Sequence, residues 1–140
     1  MLYFHQLLSV MADRPDFTLL TGPEQLLAET VLVGGHGGVC GGANLLPRLY
    51  VDLYNAACAK DMPRIETLHR MVMRVNATVF SVGQFESSFI KGLKCALSLL
   101  GVCNDFLAEP FHRFREPQRD TVRKYMEELG LFDGKSNLMR

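Results

Sequence analysis

The chain has 140 residues, 48% hydrophobic and 21% charged, enough for one domain with a core of its own and ordinary for a globular protein. Fifteen basic residues balance fifteen acidic ones, so no basic excess points to nucleic acid or an anionic membrane. No run approaches the roughly 18 apolar residues that span a bilayer, and Met1–Val10 lacks a basic leader and a small-residue cleavage site, so the expectation is a soluble, cytoplasmic protein.

The first element is a helix over residues 2–12, with Leu2, Leu7, Leu8 and Met11 on one face. Asp13-Arg14-Pro15-Asp16 breaks it, because proline disfavours helical geometry in the residue before it. Phe17-Thr18-Leu19-Leu20 then runs to Thr21-Gly22, the pattern of a short buried strand over 17–21. Thr21 as N-cap, Pro23 in the first turn and Glu24 at the positive end of the dipole open a helix over 24–33. Gly34-Gly35 ends it.

Residues 34–42 contain six glycines. That density is poor for a strand and leaves room for a brief one at 37–40. It suggests backbone that passes very close to a ligand or to packed side chains. Four helices follow. Leu46, Leu49, Tyr50, Leu53, Tyr54 and Ala57 keep helical spacing. Asp61 is a good N-cap for a long helix carrying Ile65, Leu68, Val72, Val75 and Val79, ended by Gly83. Phe89, Ile90, Leu93, Ala96, Leu97 and Leu100 mark the next, stopped by Gly101. Residues 103–115 form an aromatic and basic loop. Glu116-Pro117 starts the last helix, with Val122, Tyr125, Met126 and Leu129 on one face.

A strand–helix–strand unit implies a parallel pair, and two strands are too few for a self-standing sheet. The pattern describes a piece of a larger α/β structure. Cys40, Cys58, Cys95 and Cys103 form no Cys-x-x-Cys pair and sit in apolar stretches, which predicts buried free thiols in a reducing compartment. Asn76-Ala77-Thr78 fits a glycosylation acceptor formally, but it lies in a helical pattern.

The run Gly34-Gly35-His36-Gly37-Gly38-Val39-Cys40-Gly41-Gly42-Ala43-Asn44 resembles the last-strand signature of the dihydrodipicolinate synthase / N-acetylneuraminate lyase family. Thr21-Gly22 matches the end of the strand before it. Asn44-Leu45-Leu46-Pro47-Arg48 is similar to the start of the helix after barrel closure, and Ile90 to Gly101 resembles the family's C-terminal helix. The resemblance spans about residues 1–132 and implies an α/β fold: the last two strands of a (β/α)8 TIM barrel plus a C-terminal helical domain. It makes 17–21 strand seven and 37–40 strand eight. Residues 1–60 are then the partial barrel and 61–140 the helical extension.

The resemblance also implies a class I aldolase-type lyase. A lysine amine forms an imine with pyruvate or another 2-keto acid, and the imine acts as an electron sink. That lysine ends strand six, which places it just upstream of Met1. Without that strand the chain is expected to be inactive alone. Barrel sites lie at the C-terminal ends of strands, so the implied substrate-binding residues are Gly22, Val39, Gly41 and Glu24. At Gly41, sialic-acid lyases carry a serine. Thr21-Gly22-Pro23-Glu24 and Gly41-Gly42-Ala43-Asn44 point away from a typical dihydrodipicolinate synthase, and sugar-acid aldolases or dehydratases fit equally. No catalytic residue, metal or cofactor is expected in this chain. The expected partners are a 2-keto acid, if the barrel is completed, and a second copy or a complementing chain. The alternative is a catalytically silent fragment acting only through such an association, since open strand edges favour assembly.

Other chemistry is weaker. Gly-x-Gly-x-x-Gly fails because its third glycine falls on Cys40, and no Gly-Lys-Ser/Thr completes a phosphate loop. His36 and Cys40 are two ligands where zinc needs three or four, and a strand separates His36 from Cys40 as a base. Lys91 and Lys94 fall in a C-terminal helix, away from strand ends, and Phe111–Arg115 reads as a packed loop with solvated arginines.

Overall fold

The computed structural model describes residues 1–132. It is α/β, with six α-helices and a two-stranded parallel sheet among the described residues. The helices are α1 (Leu2–Val10), α2 (Leu27–Leu32), α3 (Pro47–Cys58), α4 (Met62–Ala77), α5 (Ser88–Leu99) and α6 (Gln118–Glu128). The strands β1 (Leu20–Thr21) and β2 (Gly37–Gly38) flank α2. Short 3₁₀ turns cover Glu24–Leu26, Gly41–Asn44 and Val79–Ser81. The chain divides into two compact units, Met1–Val72 and the residues from Met73 onward.

In the first unit, α3 buries Leu49, Tyr50, Leu53, Ala56 and Ala57, the stripe expected from its spacing except that Tyr54 is exposed and Ala56 is buried. Leu49 and Leu53 are fully buried, each worth about 1.5–3 kcal/mol relative to exposure. Leu27, Ala28, Leu45, Leu46, Ile65 and Leu68 complete this core. Asp61 caps α4 as its sequence suggests, its carboxylate accepting the Arg64 N–H at 3.1 Å. His69 on α4 donates through Nε2 to the Gln25 carbonyl at 2.8 Å, tying α4 to the turn after β1. By contrast, α1 buries no residue, and Leu2, Tyr3 and Val10 are each more than three-quarters exposed.

The second unit packs α5 on the Val79–Ser81 turn and on α6. Gly92 makes this approach possible, because a β-carbon there would run into the Val79 carbonyl. Phe80 and Phe89 meet edge to face at 4.8 Å. Val122 and Met126 bury one face of α6. The Glu116 carboxylate accepts the Asp120 N–H at 3.1 Å at its start.

Several elements are shorter than the sequence suggests. The strand expected at 17–21 retains Leu20–Thr21, because Arg14 closes a turn on Asp16 and lies 4.4 Å over the Phe17 ring. The strand expected at 37–40 stops at Gly38, because Cys40 already leads into the Gly41–Asn44 turn. Thr21 is no N-cap: it is buried in β1, and Pro23 takes the cap position without a side-chain bond. The helix expected at 24–33 divides into the Glu24–Leu26 turn and α2. The long helix ends at Ala77, where the Thr78 hydroxyl turns back to the Arg74 carbonyl at 2.7 Å.

Candidate functional site

The site begins with the ladder. Leu20 pairs with Gly37 and Thr21 with Gly38. The His36 N–H donates to the Leu19 carbonyl and the Val39 N–H to the Thr21 carbonyl, both at 2.9 Å. Because the strands are parallel, their C-terminal ends leave the sheet on the same side. Gly22 and the Val39–Gly41 segment therefore emerge side by side. Val39 is 71% exposed, and a β-carbon at Gly22 would touch nothing within 4 Å. These two positions form an open face at the strand ends. The Gly41 carbonyl accepts from the Asn44 side-chain amide at 2.9 Å, which closes the turn that follows.

Glu24 lies beneath this face and is 3% exposed. One carboxylate oxygen accepts the Tyr50 hydroxyl at 2.6 Å, and the other accepts the Gly42 N–H at 2.7 Å. A single carboxylate thus joins the turn after β1, the turn after β2 and the first half of α3. Charge-assisted bonds of this kind are among the stronger ones in proteins. Burial, followed by the hydrogen bond and charge of Glu24, pushes the Tyr50 phenol far above its ordinary range. Burial, and then the Glu24 charge, pushes the Cys40 thiol up to about 11. At neutral pH Cys40 stays protonated and is a poor nucleophile.

The glycine-rich run now divides by purpose. A β-carbon at Gly42 would collide with the Tyr50 hydroxyl and come within 2.8 Å of a Glu24 oxygen. At Gly35 it would lie 2.6 Å from Thr30 and 2.8 Å from the Phe4 ring. These glycines admit packed side chains. Gly34 serves the turn, with φ +100°, a conformation other residues avoid.

His36 is also structural. Its Nδ1 accepts the Leu19 N–H at 3.0 Å, while the His36 backbone N–H donates to the Leu19 carbonyl, so the ring completes a two-bond link between these residues at the head of the ladder. Lys60 follows α3, and Lys91 and Lys94 lie on α5. No lysine among the described residues falls on β1, β2 or the turns that follow them. No three His, Cys, Asp or Glu side chains converge as a metal site among the described residues. Helical spacing assigns Tyr50 only to the core. The available signal was its polar tip inside an apolar stripe, since a buried tyrosine hydroxyl usually needs a partner.

The profile of the dihydrodipicolinate synthetase family matches residues 3–129. The chain belongs to this family. An uncharacterized DapA-like lyase from Thermofilum pendens is 30% identical over 92% of this chain and 42% of its own length. The 4-hydroxy-tetrahydrodipicolinate synthase of Methanopyrus kandleri is 30% identical over 83% of this chain and 37% of its own. Among solved structures, dihydrodipicolinate synthase from Bacteroides thetaiotaomicron superposes with a TM-score of 0.87 at 51% identity, covering 91% of this chain and 43% of that one. The family member YagE from Escherichia coli K12, solved in complex with pyruvate, shares the fold at a TM-score of 0.76 and 22% identity over 91% of this chain and 42% of its own. The chain therefore spans about two fifths of the length of these family members. No helix among its described residues is long and apolar enough to cross a membrane.

Proposed function

We propose that this chain supplies one wall of the pocket of a Schiff-base aldolase-type lyase acting on pyruvate or another 2-keto acid. In this reading β1 and β2 are strands seven and eight of a (β/α)8 barrel, and the residues beyond α3 form its helical extension. Gly22, Val39 and Gly41 line the pocket. Glu24, with both oxygens bonded beneath the strand ends, holds these segments in register and does not reach the substrate. The observation that carries the proposal is the side-by-side exit of Gly22 and Val39 from a parallel pair, within a chain of this family.

The imine-forming amine comes from a separate strand. An imine lysine must approach the substrate carbonyl within the pocket and be activated there, and no lysine among the described residues lies at a strand end. In this reading the described residues by themselves perform no carbon–carbon chemistry, and the amine comes from a lysine-bearing segment of the same or another polypeptide. The half-exposed Leu20 on β1 and the exposed Val39 just past β2, in a sheet with unpaired outer edges among the described residues, favour such association.

Borohydride trapping tests this reading. The 140-residue chain is incubated with pyruvate and borohydride and weighed intact, alone and after co-expression with the upstream part of the Bacteroides thetaiotaomicron relative. The expected result is no adduct on the chain alone and an adduct on the upstream piece of the pair. A stoichiometric adduct on the 140-residue chain overturns the proposal.

A further inference from the structure

The second unit holds a cavity of about 460 Å³ that the proposed lyase chemistry does not use. It lies between the first turn of α5 and the loop preceding α6. Lys91, His112, Arg113 and Arg115 line it, together with Ser87 and Gln118. No acidic residue contributes to this lining.

Asp105 and Glu116 are bonded to other groups, and Glu86, next to Ser87, is exposed and takes no part in the lining. Asp105, buried, pairs with Arg119 at 3.1 Å and with Arg113 at 3.5 Å. Glu116 accepts the backbone N–H of Asp120 at the start of α6. Lys91 and Arg115 form no ion pair among the described residues. Among the described residues, two full positive charges at one cavity thus lack an ion-pair partner. The α5 N-terminus beside them adds positive potential, and the Ser87 hydroxyl and Gln118 amide add donors.

We propose that this cavity binds the phosphate group of a small phosphorylated molecule. A phosphate monoester is largely dianionic at neutral pH, which matches the two cations. Arg115 offers a planar fork suited to two phosphate oxygens, and Lys91 offers a mobile point charge. The volume exceeds that of a phosphate alone, and Phe85 and Phe114 in the wall give an organic remainder a surface to pack on.

Isothermal titration of the 140-residue chain tests the site, with glycerol 3-phosphate as probe and malonate as a carboxylate dianion, at constant ionic strength. Saturable binding of glycerol 3-phosphate is expected, weakened at least tenfold by Lys91→Gln or Arg115→Gln and unchanged by Arg123→Gln on the exposed face of α6. All three positions carry partly exposed side chains, so the variants retain the fold, which circular dichroism verifies. Absence of saturable binding, equal binding by the Lys91 and Arg115 variants, or malonate binding as tight as glycerol 3-phosphate overturns the proposal.

Discussion

The Tyr50 hydroxyl donates to the Glu24 carboxylate at 2.6 Å across a separation of 26 residues, with both side chains buried. It links a helix stripe, expected from spacing alone, to a carboxylate expected at a pocket edge. Tyr50→Phe removes the donor but keeps the ring. A hydrogen bond to a charged group contributes about 1.5–3 kcal/mol, and loss of the partner leaves one buried oxygen poorly satisfied. The expected result is an unfolding free energy, from urea denaturation, lowered by an amount in that range, with little change in the slope of the transition.

Gly42→Ala attacks the same junction from the backbone. Its β-carbon has no room between Tyr50 and Glu24, and forcing an extra methyl into a packed site costs about 1–3 kcal/mol. The double variant with Tyr50→Phe should lose less than the sum of the two single variants, because removing the hydroxyl relieves part of the clash. Strict additivity in a double-mutant cycle would show that the two positions are not coupled.

Alkaline pH should weaken the first unit. Cys40 and Tyr50 hold their protons in the folded chain to higher pH than in the unfolded one. The unfolded state then binds fewer protons above about pH 9, so stability falls as pH rises. The contribution is complete below the ordinary thiol value and diminishes as pH climbs toward 11 and beyond. Urea midpoints at pH 7, 9 and 10.5 should decline in that order, and Cys40→Ser should flatten the earlier part of the decline.

Thiol chemistry should follow exposure. Cys58 and Cys103 are exposed, whereas Cys95 is buried and Cys40 half-buried. The expectation that all four thiols would be buried holds only for Cys95. Burial also raises the Cys95 thiol. Iodoacetamide at pH 7.5 should therefore modify Cys58 and Cys103 first and Cys40 and Cys95 last, a sequence that peptide mapping resolves. Early labelling of Cys40 would contradict its placement above Glu24.

Asp105 supplies a test in the second unit. Arg119→Ala removes its shorter partner and leaves a buried carboxylate with the longer contact to Arg113, a loss of up to about 3–5 kcal/mol. Arg113→Ala removes a half-exposed partner at 3.5 Å and should cost under about 1 kcal/mol. Denaturation of the two variants gives the ordering directly.

Periodicity made α3 through α6 legible, because each buries one continuous stripe, as Leu49, Leu53 and Ala57 do on α3. The parallel pair was legible from its alternation with a helix. Its length was not, because the sheet ends through events invisible to periodicity: Arg14 folding onto Asp16 and Phe17, and the Glu24 carboxylate pulling Gly42 inward. The six-glycine run announced a close approach but not its object. The object is set by side chains from other elements, Phe4, Thr30 and Tyr50, that sequence separation conceals. Glu24 could be placed near the strand ends, but its direction could not be read, since the same spacing serves a carboxylate facing the pocket and one turned beneath it.

The His36 ring has a further consequence. One of the two bonds between Leu19 and His36 at the head of the ladder uses an imidazole lone pair in place of a carbonyl oxygen. A carbonyl in a ladder cannot be acylated under mild conditions, whereas an exposed imidazole can. The sheet therefore has one chemically severable hydrogen bond, and a reagent that modifies His36 would loosen the start of a strand pair that has few residues to spare.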